Sequence, residues 1–116
     1  MWKFKGGYLE SPSGKRWRAR SGPYGNGPLP AGFYEIGTAF EVEPPEQEKG
    51  AYQDVAGLAW FCRLRAKFAT ERTGLGIHPD GNIPGTRGCI GLTDEDTSGA
   101  YIRLRLARTE RLEVKP

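Results

Sequence analysis

His78 is the only imidazole in the chain and Cys89 is one of its two thiols. Ten residues rich in Gly and Pro separate them in the stretch GIHPDGNIPGTRGCIGL. A thiol with an ordinary pKa of ~8.5 supplies little thiolate at neutral pH, and a neighbouring imidazole can take its proton and later return it. The pair is therefore either a nucleophile and its base or two unrelated residues of a glycine-rich turn. The spacing alone leaves both readings open, because His-x10-Cys is not a specific pattern.

The residues beside Cys89 bear on the choice. Gly88 removes side-chain bulk in front of the thiol, so that backbone N–H groups could approach a tetrahedral oxyanion. Thr86 can hydrogen-bond locally and hold the turn. Arg87 carries the planar fork that suits a substrate carboxylate. A single histidine argues against most zinc hydrolases, which use two or three imidazoles. A serine triad would have to share His78, and no nucleophile-elbow motif is present. No GxxxxGK[ST] phosphate loop occurs. Among the fourteen acidic residues nothing marks a glycosidase pair.

The elements that must position this loop read mainly as strands. LAWFCRLRA alternates cleanly, with Leu58, Trp60, Cys62, Leu64 and Ala66 on one face, which makes Cys62 a core residue. RTGLGIH is a short strand that delivers His78 at its end. Upstream, WKFKGGYLES and GKRWRARSG flank a turn at Pro12, Ser13 and Gly14 and predict a hairpin, with Trp2, Phe4, Tyr8, Trp17 and Ala19 on one face. SGPYGNGPLPAG is a loop. FYEIGTAFEVE is a strand with Tyr34, Ile36, Phe40 and Val42 alternating around a break at Gly37. EPPEQEKG is an exposed acidic turn. Thr93 and Asp96 resemble a capping box, and the spacing predicts a helix from about Asp94 to Ala107, then a last strand RLEVK. A helix opening at Asp94 would set its positive end near Cys89 and favour the thiolate.

With 116 residues the chain is expected to form one domain, residues 1–116, around a single core. Seventeen Gly and nine Pro point to short strands and shaped loops rather than a helical bundle. The net charge of +3 suits an anionic partner without identifying one. Two cysteines do not make a disulfide framework; they could form one bridge or both stay reduced. No apolar run approaches the ~20 residues of a membrane span. MWKFKGGYLE lacks the apolar core of a signal peptide, so synthesis in the cytoplasm and delivery by another route is the expectation.

TRGCIGL resembles the S/T-x-G-C-I signature of the L,D-transpeptidase (YkuD-like) catalytic domain. Cys89 matches its nucleophile, Thr86 the signature Ser/Thr and Gly88 the glycine. His78 matches the histidine that precedes the cysteine. SGPYGNGPLPAGFYEIG is similar to the Gly-Pro-x-Pro-x-Gly-x-Tyr entry strand of a compact branch that includes type VI secretion effectors and small phage or prophage proteins. Together these cover most of residues 20 to 92. The chain departs from the larger members at Arg87, where they carry a histidine base, and at Gly91, where many carry Arg or Asn.

The resemblance implies a small α+β domain, mainly β, built as a sandwich or flattened barrel with one helix after the catalytic loop. It implies cysteine-dependent acyl chemistry on peptidoglycan stem peptides: L,D-carboxypeptidase, endopeptidase or transpeptidase. Cys89 is then the nucleophile and His78 the base, with Thr86, Arg87 and Gly88 at the oxyanion or substrate. No metal or cofactor, no nucleic acid and no membrane span is implied. The expected setting is the periplasm or cell wall, reached by export or lysis. A secretion machine and an immunity protein are its partner classes, and the domain is a monomer. The alternative is a wall- or protein-binding module on the same fold without catalysis.

Overall fold

The computed structural model describes residues 1–22, 25, 27–42, 51–81, 86 and 88–116. The acidic stretch EPPEQEKG, residues 43–50, lies outside them, as does Arg87. The strands are β1 (Trp2–Lys5), β2 (Tyr8–Glu10), β3 (Arg16–Ser21), β4 (Gly32–Glu41), β5 (Trp60–Ala66), β6 (Gly76–Pro79), β7 (Ile90–Leu92) and β8 (Arg111–Val114). The helix α1 (Ser98–Leu106) stands between β7 and β8. The strands close into a barrel in the order β1-β2-β3-β7-β6-β5-β4-β8. The fold is thus mainly β with one short helix among the described residues, at the barrel end of the expected range. No described helix is long and apolar enough to cross a membrane.

Period-two alternation fills the interior. Leu9, Trp17, Tyr34, Ile36, Trp60, Cys62, Ile77, Ile90 and Leu112 all point inward and are buried. Trp2 stacks on Trp17 with ring centroids 6.1 Å apart. β5 runs as its sequence alternation requires, with Trp60, Cys62 and Leu64 inside. Burial pushes the Cys62 thiol up to about 12, as expected for a cysteine that packs rather than reacts.

Three sequence-based expectations are corrected. WKFKGGYLES is itself a hairpin, turning at Gly6 and Gly7, both at positive φ. That turn places Leu9 inside and Tyr8 outside, where the Arg16 guanidinium lies 5.4 Å from the Tyr8 ring. In β4 a register shift between Ile36 and Ala39 moves Ala39 inward and leaves Phe40 exposed. Gly37 allows this shift, since a Cβ there would stand 3.2 Å from the Arg63 backbone oxygen.

The third correction concerns α1, which starts at Ser98 rather than Asp94. Tertiary ties hold the preceding residues out of a helix: Thr93 N–H donates to the Arg18 carbonyl, Asp94 accepts from Arg18 N–H, and the Glu95 carbonyl accepts from Ala56 N–H. The Thr93–Asp96 capping box therefore does not form. The N-cap is Thr97, and its hydroxyl serves the tertiary structure. It donates to Asp54 Oδ2 (2.8 Å) and accepts from Trp60 Nε1 (2.8 Å). Asp54 also accepts from Thr97 N–H (2.8 Å) and Leu58 N–H (2.9 Å), so one buried carboxylate joins α1 to the segment before β5. The helix lies against Trp17 and Trp60, inward-facing residues of non-adjacent strands, and so covers one end of the barrel.

Asp54→Ala removes the acceptor of three buried or partly buried donors. It is expected to destabilise the protein by at least about 1–3 kcal/mol, the cost of leaving such groups unsatisfied. A urea titration of the variant against the parent measures this.

Candidate functional site

β6 and β7 are parallel neighbours in the register Ile77↔Ile90, His78↔Gly91. Parallel strands cannot be joined by a tight turn; the chain must travel back the length of the first strand before it starts the second. Ile77 and Ile90 are fully buried in the core. With period two, Gly76 and His78 on β6 and Gly91 on β7 then face outward, and Cys89, just before β7, falls level with Gly76. His78 and Cys89 are thus diagonal neighbours on one outer face. Such positions lie about 7–8 Å apart, within reach of a ring side chain.

His78 is held from all sides. Its Nδ1 lies 2.6 Å from the Pro79 carbonyl oxygen. A carbonyl only accepts, so Nδ1 carries the hydrogen of the neutral ring and Nε2 keeps its lone pair. The Tyr52 ring meets the imidazole edge-on at 4.6 Å, and the Phe61 ring stacks on it at 5.9 Å. Phe61 also reaches over Gly76, where a Cβ would come within 2.3 Å of its Cζ. Any residue but glycine at 76 would push this ring away. Asp80, whose side chain is almost fully buried, forms an ion pair with Arg20. Burial, the largest effect, lowers the His78 pKa, and the Pro79 carbonyl and Asp80 oppose it. Burial thus disfavours the imidazolium form.

Cys89 is half-buried, and its thiol donates to the Gly74 carbonyl at 3.5 Å. Its hydrogen bond goes there and not to His78. Burial raises its pKa, against the lowering influence of the Gly76 N–H and the Arg72 charge. A preformed thiolate–imidazolium pair would have the opposite directions, cysteine down and histidine up. Both shifts disfavour the charged forms. The start of α1 contributes little to Cys89, because β7 runs from the cysteine toward the helix and separates them by its own length; a helix terminus acts within about one turn.

The turn before Cys89 is tied by hydroxyls. Thr86 Oγ1 donates to the Cys89 carbonyl (2.6 Å) and accepts from Gly22 N–H (2.9 Å) and Gly88 N–H (3.3 Å). Ser21 Oγ donates to the same Cys89 carbonyl (2.8 Å) and accepts from Leu29 N–H (2.8 Å). Thr86 thus holds the turn, as its residue type suggested, and joins it to the end of β3. Gly91 is required by the same packing, since a Cβ there would meet Thr86 Cγ2 at 2.8 Å and Asp80 Cβ at 2.9 Å. No arginine fits at 91 while those residues stay in place.

Gly88 has φ +132°, a conformation rarely adopted by other residues, and a Cβ on it would stand 2.2 Å from Arg72 Nη2. Its N–H turns to Thr86, and its bare Cα makes room for a guanidinium. Arg72 Nη1 and Nη2 donate to the Pro28 and Gly27 carbonyls at 3.3 and 3.2 Å. Of the five residues picked out from the sequence, the register sets His78 and Cys89 on one face, Thr86 and Gly88 lie in the tied turn before the thiol, and Arg87 lies outside the described residues. Sequence reasoning missed Arg72, Phe61 and Tyr52. Phe61 carried one signal, as the aromatic on the outward face of an otherwise clear strand.

No family model, curated protein or solved structure matches this chain.

The His78 shift has a consequence for stability. Its pKa is lower in the fold than in the unfolded chain, so below ~6.5 the unfolded state binds a proton that the folded state refuses. Stability is full above that value and falls as pH drops through it, by up to about 1.4 kcal/mol per pH unit for one proton. Denaturation between pH 7 and 5 should show this slope, and His78→Gln, which cannot titrate, should lessen it.

Proposed function

We propose that this chain is a compact L,D-transpeptidase-like (YkuD-like) domain that performs acyl chemistry on peptidoglycan stem peptides through Cys89. The observation that carries the reading is the parallel β6–β7 register, which sets the one imidazole and the outward thiol on a shared face. The T-R-G-C-I signature, with Thr86 clamping the Cys89 carbonyl, supports it.

In this reading a rotation about the Cys89 Cα–Cβ bond turns Sγ from Gly74 toward His78. Nε2 takes the thiol proton as sulfur attacks the carbonyl carbon between an L-centre and a D-residue. The tetrahedral adduct collapses to a thioester, and the imidazolium returns the proton to the departing amine. Water or an acceptor amine then resolves the thioester, giving hydrolysis or transfer. A neutral starting pair suits this sequence, because the base must hold its lone pair before the substrate arrives. The cell wall is the setting that this chemistry implies.

The thiol's bond to Gly74 rather than His78 favours a second reading, a wall- or protein-binding module without catalysis. Purified peptidoglycan incubated with the protein, its fragments read by mass spectrometry, separates the two. Cys89→Ala should abolish product release and leave the fold intact; fragments released equally by that variant, or by neither protein, would overturn the enzymatic reading.

A second measurement addresses the base. His78→Ala should lose about 10²–10⁴-fold in rate, the worth of a positioned acid–base. The parent's rate should rise through a group titrating below the ordinary histidine value of ~6.5, since burial lowers His78. An ascending limb centred above that value would place the base elsewhere.

A further inference from the structure

On the side of the barrel formed by β8, β1, β2 and β3 the outward side chains fall into two rows. In the first, the register sets Lys3 between Glu113 and Glu10, with Arg16 beyond Glu10. That row is balanced in charge. Ion pairs join Arg16 to Glu10 at 3.3 Å and Lys115 to Glu113 at 3.9 Å. The second row starts at Lys115, whose N–H donates to the Phe4 carbonyl and which therefore stands beside Lys5. It continues through Lys5 and Tyr8 to Arg18. It holds three cations, a phenol and no acid, and its charge equals the net +3 of the whole chain. Among the described residues no acid pairs with the side chain of Lys5 or Arg18. Asp94, beyond the β3 end, takes the Arg18 backbone N–H at 3.2 Å.

A concavity of about 520 Å³ takes in parts of both rows, walled by Lys3, Lys5, Tyr8, Glu10, Arg16 and Lys115 among others. Tyr8 is 39% exposed, and the Arg16 guanidinium lies over its ring.

We infer that this face binds single-stranded nucleic acid, a partner that the sequence resemblance does not imply. Neighbouring strands stand about 4.8 Å apart, so the second row spans about 14 Å with positive charge on both flanks of one exposed ring. A phosphodiester chain laid along it sets phosphates on Lys115, Lys5 and Arg18 and a base on Tyr8. A charged groove with a stacking ring holds single strands without reading their sequence. The concave shape favours a chain over a flat bilayer. The ring favours a polymer that carries planar groups over a wall polymer of phosphates and polyols. β1 is four strands from β6 by either way around the barrel, so this face lies opposite His78 and Cys89 and stands apart from the proposed reaction.

Binding is read by the fluorescence anisotropy of a labelled oligothymidylate. Three cations on phosphates give a slope of about −2 for log affinity against log salt, and Lys5→Gln combined with Lys115→Gln should lessen it by about 1.4. Tyr8→Leu should weaken binding at least about fivefold and leave the slope in place, since stacking carries no charge. Cys89→Ala should bind like the parent, so the fate of the peptidoglycan chemistry does not touch this result. A slope unaltered by the double substitution, or an affinity unaltered by Tyr8→Leu, overturns the proposal.

Should a variant fail to fold, the parent decides. An abasic strand of equal length keeps the phosphates and lacks the bases, and it should bind at least about fivefold more weakly. Equal binding of the two strands, no binding of either at low salt, or tighter binding of poly(glycerol phosphate) or of phosphatidylglycerol vesicles overturns the proposal.

Discussion

Ile77 and Ile90 lie opposite each other on parallel strands, both fully buried, and the arrangement of the site follows from that pair. Because side chains alternate, turning these two inward turns Gly76, His78 and Gly91 outward and brings Cys89 level with Gly76. A slip of one residue would carry the imidazole into the core and an isoleucine into solvent. The face that carries His78 and Cys89 is therefore maintained by hydrophobic burial on the opposite face of the same strands. The glycines of the region are consequences of this packing. Gly76 lies under Phe61, Gly91 under Thr86 and Asp80, and Gly88 beside Arg72.

Burial also sets the electrostatics. The surroundings of His78 disfavour its charged form and those of Cys89 disfavour the thiolate. Moving one proton between them creates two charges in a poorly solvated place. The protein supplies partial compensation on each side: the Pro79 carbonyl and Asp80 for an imidazolium, the Gly76 N–H and Arg72 for a thiolate. The same exclusion of water strengthens each of these contacts once charge appears.

The aromatic cover over His78 depends on a distant anchor. Tyr52 belongs to the segment before β5, and that segment is fastened through Asp54 to Thr97 at the head of α1. Trp60 joins the same hydroxyl from inside the barrel. The short helix thus helps to fix a wall of the site although it contributes no residue to it, and the connection runs through one carboxylate.

Local pattern was sufficient for some of this. The alternation of LAWFCRLRA identified β5 and the inward Cys62, because a half-buried strand writes its two faces into successive residues. The types of Thr86, Gly88 and Cys89 announced a tied turn around a thiol, because hydroxyl clamping and bare backbone are short-range properties. Other features depended on contacts that sequence distance conceals. The bulge that exchanged Ala39 for Phe40, and the ties to Arg18 and Ala56 that delayed α1 until Ser98, are decided by neighbouring strands and segments. Arg72 lies far along the chain from Gly27 and well before Gly88, and the neighbouring order β3-β7-β6-β5 brings its guanidinium between them. Residue types and spacing determined that a thiol and an imidazole were available at the ends of one loop. The parallel pairing of β6 with β7 decided that they share a face, because only the burial of Ile77 against the core fixes which way His78 must point.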